Sequence, residues 1–241
     1  MTEGPETAAG GNAGDAGARM RDLMRVTRAI RDFNATVTNE TREPIERKVR
    51  RWQHLRMPAQ LAPEVQAVRP YNPAWPQLFQ AEKARLQTML GAEVTAVEHF
   101  GSTSIPGMSS KSILDLVVAV RDVPAALAPL AAAGYEDFGV SPCDHEAVWL
   151  WNIDPPRPTG EPGYATIVHV CASDNPWIPT ALNFRDYMRA FPAENTGYLE
   201  LKQRLGAEGR SLLEYSIVKL KLFYELSAKA DAWVAAGRPP G

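Results

Sequence analysis

The sequence has few cysteines and no long apolar run. Its two cysteines, Cys143 and Cys171, are isolated and fit neither a disulfide framework nor a CxxC zinc site. The longest strongly apolar stretch runs only from Ile113 to Val120 and is interrupted by Asp115. A transmembrane helix needs about 20 apolar residues, so the sequence predicts no membrane span.

The chain also lacks a surplus of either charge. It has 26 Lys and Arg against 28 Asp and Glu, which gives a formal net charge of -2. A near-neutral chain has no overall electrostatic attraction to nucleic acid, so no nucleic-acid partner is predicted. The first residues lack a basic segment followed by an apolar core and do not resemble a secretory signal, so a cytoplasmic location is predicted.

The composition changes along the chain and predicts its organisation. Residues 1–18 are rich in Gly, Ala, Glu and Thr, which predicts a disordered tail. Residues 19–57 carry apolar residues at helical spacing among many arginines, and 58–67 form a Pro-containing linker to a main domain at 68–236. The basic helical extension at 19–57 is either a docking surface for an anionic protein partner or a solvated face packed on the main domain.

The apolar spacing in the main domain predicts helices and strands. Asn72 is predicted as the N-cap of the first helix, with Pro73 in its first turn, and Asp122 and Pro124 begin another. Strands are predicted over 93–100, 112–120, 147–153 and 164–171, and C-terminal helices over 179–190, 192–205 and 209–235. This order predicts an α+β domain.

A loop rich in Gly and Ser lies between the first two predicted strands. It contains Gly101, Ser102, Thr103 and Ser104. Glycine lets the backbone approach a ligand because it has no Cβ, and successive amides and hydroxyls can cradle phosphate oxygens. Because Gly-Ser turns are common, this interpretation depends on the strand that follows.

That strand carries one carboxylate, Asp115, among apolar residues. Side chains alternate along a strand, so Asp115 shares a face with Ile113 and Val117. An unpaired charge there would be costly, and Lys111, an arginine or a bound Mg²⁺ would each offset the cost. Together with the loop, Asp115 favours a magnesium–phosphate site over a structural ion pair.

The sequence around this loop resembles the GrpB family, small proteins with a nucleotidyltransferase-like fold. The matching blocks are VRPYNPAWPQLFQAE at 68–82, EHFGSTSIPGM-x2-KSILDL at 98–116, HV at 169–170, FRDYMRAFP at 184–192 and Y-x3-K at 215–219. The resemblance implies a nucleotidyltransferase-like mixed sheet with flanking helices and C-terminal helices, preceded here by the N-terminal helical extension.

The resemblance also implies a chemistry. It implies transfer of a nucleotidyl group from ATP or another nucleoside triphosphate to a small-molecule acceptor with Mg²⁺. Gly101 and Ser102 match the phosphate loop and Asp115 matches the first metal-binding acid, whereas the second acid falls on Val117 and is absent. The alternative is a catalytically reduced module that binds a nucleotide, a phosphorylated metabolite or a protein partner.

Other residues are weaker candidates. Glu98 and His99 face opposite ways on a strand, and we favour Glu98 as the member in the site over a salt bridge with Lys111. His169 is either a hydrogen-bonded core residue or, as the resemblance implies, close to the site. Asp115, Glu98 and His169 are thus the catalytic candidates.

The remaining candidates would bind phosphate. Besides the loop from Gly101 to Ser104, they are Lys111, Arg185, Tyr215 and Lys219. Arg185 and Lys219 match family positions, and either could instead form an ion pair with a neighbouring acid. Trp149, Trp151 and Trp177 either wall a ligand cleft or pack in the core.

Overall fold

The structure is a computed structural model. It describes residues 65, 67–140, 147–152, 155, 163–208 and 212–239. The predicted tail at 1–18, the basic helical extension at 19–57 and most of the linker lie outside the described residues. The side chains of 212–217, which include Tyr215, also lie outside what the structure describes.

The described chain forms one mixed sheet. Its strands are β1 Val94–Phe100, β2 Ile113–Val120, β3 Glu136–Val140, β4 Val148–Asn152 and β5 Ala165–Ala172. Their order is β1-β2-β5-β4-β3, in which β2 and β5 are parallel and the other neighbours are antiparallel. The parallel strands β2 and β5 are mostly apolar and are buried along almost their whole length, as expected where both faces of a sheet are covered.

Helices precede, interrupt and follow the sheet. They are α1 Trp75–Leu90, α2 Val123–Ala132, α3 Trp177–Ala190, α4 Asn195–Ala207 and α5 Leu212–Ala235. Short 3₁₀ turns occupy Gly91–Glu93, Ser102–Ser104 and Pro192–Glu194. None of the helices in the described part of the chain has the length and apolarity that a membrane span requires.

The predicted α+β class, strands and helices are confirmed, with two differences. The cap prediction is wrong, because α1 begins with Ala74 at its N-cap and Pro76 in its first turn, while Asn72 Oδ1 accepts a hydrogen bond from Ala74 N at 2.9 Å in the turn before it. The strand β3 was not predicted from the sequence. That strand lies at the edge of the sheet and its pairing is irregular between Asp137 and Gly139, so it has no clean apolar alternation.

The sheet separates two environments. Leu114, Leu116 and Val118 of β2 belong to a core that includes residues of α1 and α2. The opposite face carries Asp115 and Val117, and Trp177 of α3 packs there beside Val117. The C-terminal helices therefore lie on the side of the sheet that displays the carboxylate.

The segment between β1 and β2 is anchored among those C-terminal helices. Ile105 and Met108 are almost fully buried in a cluster with Met188 of α3, Tyr198 of α4 and Leu226 of α5. This apolar contact fixes the end of the Gly-Ser loop, so the loop and the helices form one wall beside β2.

Candidate functional site

The site is built around the contact between Gly101 and Asp115. In the antiparallel pairing of β1 with β2, Phe100 lies opposite Asp115, so the turn that begins at Gly101 starts beside this carboxylate. A Cβ on Gly101 would lie 2.9 Å from Cγ of Asp115, closer than side-chain atoms pack. The glycine also has a φ of +67°, a conformation that other residues rarely adopt. The Asp115 side chain is 27% exposed, so it remains accessible to a ligand.

Among the residues that the structure describes, two of the three hydroxyls in the turn donate hydrogen bonds to backbone carbonyls, and the third does not. Ser104 Oγ donates to Gly101 O at 2.7 Å, and Thr103 Oγ1 donates to Ile113 O at 3.1 Å. A hydroxyl that donates to a carbonyl has no proton left for a phosphate oxygen, so we assign Thr103 and Ser104 to the shape of the turn rather than to phosphate contact. Ser102 is half-buried, and its hydroxyl forms no hydrogen bond with the residues described.

Two arginines of α3 hold the turn and the strand before it. Arg189 donates to Ser104 O from Nε at 3.0 Å and from Nη2 at 2.7 Å. Arg185 donates from Nη1 to Glu98 Oε2 at 2.9 Å and to His99 O at 3.0 Å. Arg185 was predicted from the sequence and Arg189 was not, although the two are four residues apart and share a helix face.

The alternation of β1 separates Glu98 from His99. Glu98 pairs with Val117 and so lies on the Asp115 face, whereas His99 is buried on the opposite face, where its ring stacks on Phe79 at 4.9 Å. Burial, with a smaller effect from two arginines, lowers the pKa of His99 from 6.5 to about 3. His99 is therefore a neutral structural residue that contacts Thr103 Oγ1 through Nε2 at 2.9 Å.

His169 lies beside Asp115 in a pocket of aromatic rings. Its Nε2 is 3.8 Å from Asp115 Oδ1, longer than a hydrogen bond. The imidazole stacks on Trp177 at 5.5 Å and meets Phe100 at 4.7 Å and Trp149 at 5.1 Å edge-to-face. The aromatic rings thus hold the imidazole on the Asp115 side of β5. Trp151 instead belongs to a separate core cluster with Phe138.

Lysines supply positive charge near this carboxylate. Burial, together with the charge of Lys219, lowers the pKa of Lys111 from 10.5 to about 8. Burial also lowers the pKa of Lys202 well below its usual value; Lys219 lowers it further and Asp115 raises it. The charge of Lys219 therefore reaches both Lys111 and Lys202, and the carboxylate of Asp115 reaches Lys202.

Lys202 was not predicted, and it is the most enclosed of these lysines. It is 1% exposed, and its Nζ donates to Ser109 O at 2.6 Å. The ring of Tyr198 lies under both Lys202 Nζ, at 5.5 Å, and Lys219 Nζ, at 5.9 Å. No motif marks Lys202 in the sequence, because a lysine on an amphipathic helix usually faces solvent.

The donor set fits one hard cation shared with a ligand. Among the described residues no cluster of three or more His, Cys, Asp or Glu side chains could hold a metal alone. Mg²⁺ is commonly bound through one or two carboxylates together with substrate phosphates and water. Asp115 offers such a carboxylate, whereas Glu98 is engaged by Arg185. The residues therefore fit a Mg²⁺ that arrives with phosphate oxygens.

Comparisons with known proteins agree on one family. The family described as GrpB protein matches residues 66–229. A UPF0157 protein of Halalkalibacterium halodurans is 31% identical over 163 residues, which cover 67% of this chain and 80% of that protein. The crystal structure of the conserved protein GrpB from Enterococcus faecalis matches with a TM-score of 0.55 and 30% identity, covering 67% of this chain and 98% of that one.

A longer relative matches over more of the chain. A protein of Mycolicibacterium paratuberculosis named dephospho-CoA kinase is 29% identical over 223 residues, which cover 82% of this chain. The same match covers 52% of that protein, so this chain corresponds to about half of it.

Proposed function

This chain belongs to the GrpB family, and we propose that it binds a nucleoside triphosphate with Mg²⁺ at Asp115 and transfers the nucleotidyl group to a small-molecule acceptor. The observation that carries the proposal is the close approach of Gly101 to Asp115. That contact leaves a bare backbone turn next to an accessible carboxylate. Backbone amides suit phosphate oxygens and a carboxylate suits Mg²⁺, so one ligand would satisfy both.

The rest of the site supports a phosphate-bearing ligand. The first amides of a helical turn have no acceptor within that turn, and the 3₁₀ turn Ser102–Ser104 begins here. Ser102 would add its hydroxyl, and Lys111 and Lys219 would offset the negative charge. Arg185 is held by Glu98 and Asp186, at 2.9 Å and 2.8 Å, and would position β1 rather than bind phosphate.

The proposed reaction is a displacement at the α-phosphorus. An acceptor oxygen forms a bond to that phosphorus, the bond from it to the bridging oxygen breaks, and diphosphate leaves with the electron pair. A bound Mg²⁺ would supply Lewis-acid polarisation of the phosphate oxygens. The acceptor's proton needs a base, and His169 suits this role better than Glu98, whose Oε2 already accepts a hydrogen bond from Arg185.

A second candidate function is binding without transfer. Val117, the next residue on the Asp115 face of β2, is fully buried and apolar. A two-metal mechanism requires further carboxylates to bind the second ion, and β2 has no carboxylate besides Asp115. This observation favours a module that binds a nucleotide or a phosphorylated metabolite and does not turn it over.

The deciding experiment compares Asp115→Asn with a matched control. Asp122→Asn makes the same change at the exposed N-cap of α2, where asparagine also caps well. We expect Asp115→Asn to abolish Mg²⁺-dependent binding of ATP in calorimetry and the release of diphosphate from labelled nucleoside triphosphates, and Asp122→Asn to leave both unchanged.

The outcomes separate the two candidates. Binding that requires Asp115, without turnover across a panel of acceptors, would support the binding module. Unchanged binding and turnover in Asp115→Asn would refute the role assigned to this carboxylate.

A further inference from the structure

The buried amino group of Lys202 has more N–H donors than the surrounding described residues have acceptors for them. The amino group carries three N–H donors when protonated and two when neutral, and of the residues that the structure describes only Ser109 O, at 2.6 Å, accepts from it. The Tyr198 ring, at 5.5 Å from Nζ, adds a cation–π contact but no hydrogen-bond acceptor. A residue 1% exposed cannot direct its other donors to bulk water. Buried polar groups are normally paired, so these spare donors indicate a missing acceptor.

The surroundings identify the charge of that acceptor. Lys111 precedes β2, Lys202 lies on α4 and Lys219 lies on α5. The Nζ atoms of Lys202 and Lys219 lie 5.5 Å and 5.9 Å from the centre of the same Tyr198 ring. The charge of Lys219 lowers the pKa of both Lys111 and Lys202, whereas the carboxylate of Asp115 raises the pKa of Lys202. Like charges held together repel one another, and an anion with several charges would relieve this repulsion.

We propose that Lys202 binds phosphate directly, and that with Lys111 and Lys219 it selects a chain of two or more phosphates over a single phosphate. The inference rests on the proposed function and names the part of the ligand that the lysines recognise. Three cations on separate elements match an extended chain of phosphates, because each can contact oxygens on a different phosphorus. A single phosphate offers fewer charges and a shorter reach.

The first test uses inorganic anions, which carry no nucleoside. Calorimetry with the full chain should show tighter binding of tripolyphosphate than of orthophosphate. Lys202→Met should weaken tripolyphosphate binding about tenfold or more, as expected for the loss of a charge-assisted hydrogen bond. Lys229→Met is the matched control, because Lys229 is 52% exposed and pairs with Glu194, and it should leave the affinity unchanged.

A stability measurement distinguishes ligand binding from a purely structural tie to Ser109. Lys202→Met loses the hydrogen bond to Ser109 O but also removes the cost of burying a charge, and the second effect offsets or exceeds the first. We therefore expect Lys202→Met to keep or raise the thermal midpoint without anions and to lose the rise that tripolyphosphate gives the wild type. A lower midpoint with unchanged tripolyphosphate affinity would overturn the proposal.

A test on the wild-type protein does not depend on whether a variant folds. If orthophosphate raises its thermal midpoint as much as tripolyphosphate at equal phosphorus concentration, the selection for a phosphate chain is refuted. Failure of the proposed function would look different. If tripolyphosphate binding depends on Lys202 but Mg²⁺-ATP is not turned over, nucleotidyl transfer is refuted and phosphate binding by Lys202 is supported. If Mg²⁺-ATP is turned over and Lys202→Met does not change the rate, nucleotidyl transfer is supported and phosphate binding by Lys202 is refuted.

Discussion

The backbone of Gly101 lies against the carboxylate of Asp115 with no room for a side chain between them. The contact follows from the register of the sheet, which places Phe100 opposite Asp115 and starts the turn at the next residue. A ligand held by the turn is thereby brought to the only carboxylate of β2. The contact also makes Gly101 a sharper probe of the site than any hydroxyl in the turn.

Gly101→Ala should therefore weaken binding as well as stability. The new Cβ would push Asp115 away, and the left-handed backbone conformation adds strain of about 1–3 kcal/mol. We expect the affinity for Mg²⁺-ATP to fall about tenfold or more, since a displaced carboxylate loses a charge-assisted contact. Calorimetry and urea unfolding measure the two effects.

Gly107→Ala is the control for backbone strain. Gly107 also has a positive φ, +77°, but no atom lies within 4 Å of its added Cβ. This variant should lose about 1–3 kcal/mol of stability from the same backbone strain and keep its affinity. Equal affinity losses in the two variants would contradict a specific contact between Gly101 and Asp115.

Arg189→Met should loosen the turn without removing any group proposed to touch the ligand. The variant loses the two hydrogen bonds from Arg189 to Ser104 O. A hydrogen bond from a charged donor typically contributes about 1.5–3 kcal/mol to the free energy of unfolding. We expect faster hydrogen exchange of the amides of residues 101–105 and weaker binding of ATP. Arg204→Met, at an exposed position of α4, should change neither quantity. Exchange rates equal to those of the wild type would show that the Arg189 bonds do not hold the turn.

The strongly patterned elements could be predicted from the sequence, and so could the sheet face of Glu98. An apolar β2 and a strand alternation are local properties, so they give the buried strands and separate Glu98 from His99. The edge strand β3 has no such pattern. Lys202 could not be predicted, because its burial depends on how α4 packs near Ser109, a contact 93 residues apart in sequence.

The stability of the protein should depend on His99 below neutral pH. The folded imidazole has a pKa of about 3 and the unfolded one about 6.5, so the unfolded state binds the proton first as the pH falls. The contribution of His99 is fully present above pH 6.5 and is lost as the pH falls toward 3, by up to about 1.4 kcal/mol per pH unit. Urea unfolding at several pH values measures this slope.

His99→Gln removes the titrating group and keeps a side chain able to hydrogen-bond to Thr103. The variant should be less stable than the wild type at neutral pH, and the difference should shrink as the solution is acidified. Parallel pH profiles of the two proteins would show that burial of His99 does not set the slope.

Anion binding should weaken at alkaline pH because Lys111 loses its charge. Its pKa is about 8, so the ammonium is present below that pH and is lost above it. We expect the affinity for ATP without Mg²⁺ to fall between pH 7 and pH 9.5 as Lys111 deprotonates, in calorimetry at constant ionic strength. Lys111→Arg keeps its charge throughout this range and should bind with a shallower decline. An equal decline in the variant would assign the pH dependence to other groups.

The cluster of Ile105 and Met108 with α3, α4 and α5 has a consequence for synthesis of the chain. Asp115 and Gly101 belong to the first two strands and the turn between them, whereas Lys202 and Lys219 lie further along the chain and emerge from the ribosome later. A chain ending before α4 would contain Asp115 and Lys111 but would lack Lys202 and Lys219. Affinity for polyanions would thus report that the carboxyl-terminal third has docked, and a bound polyanion would protect that third from proteases by mass action.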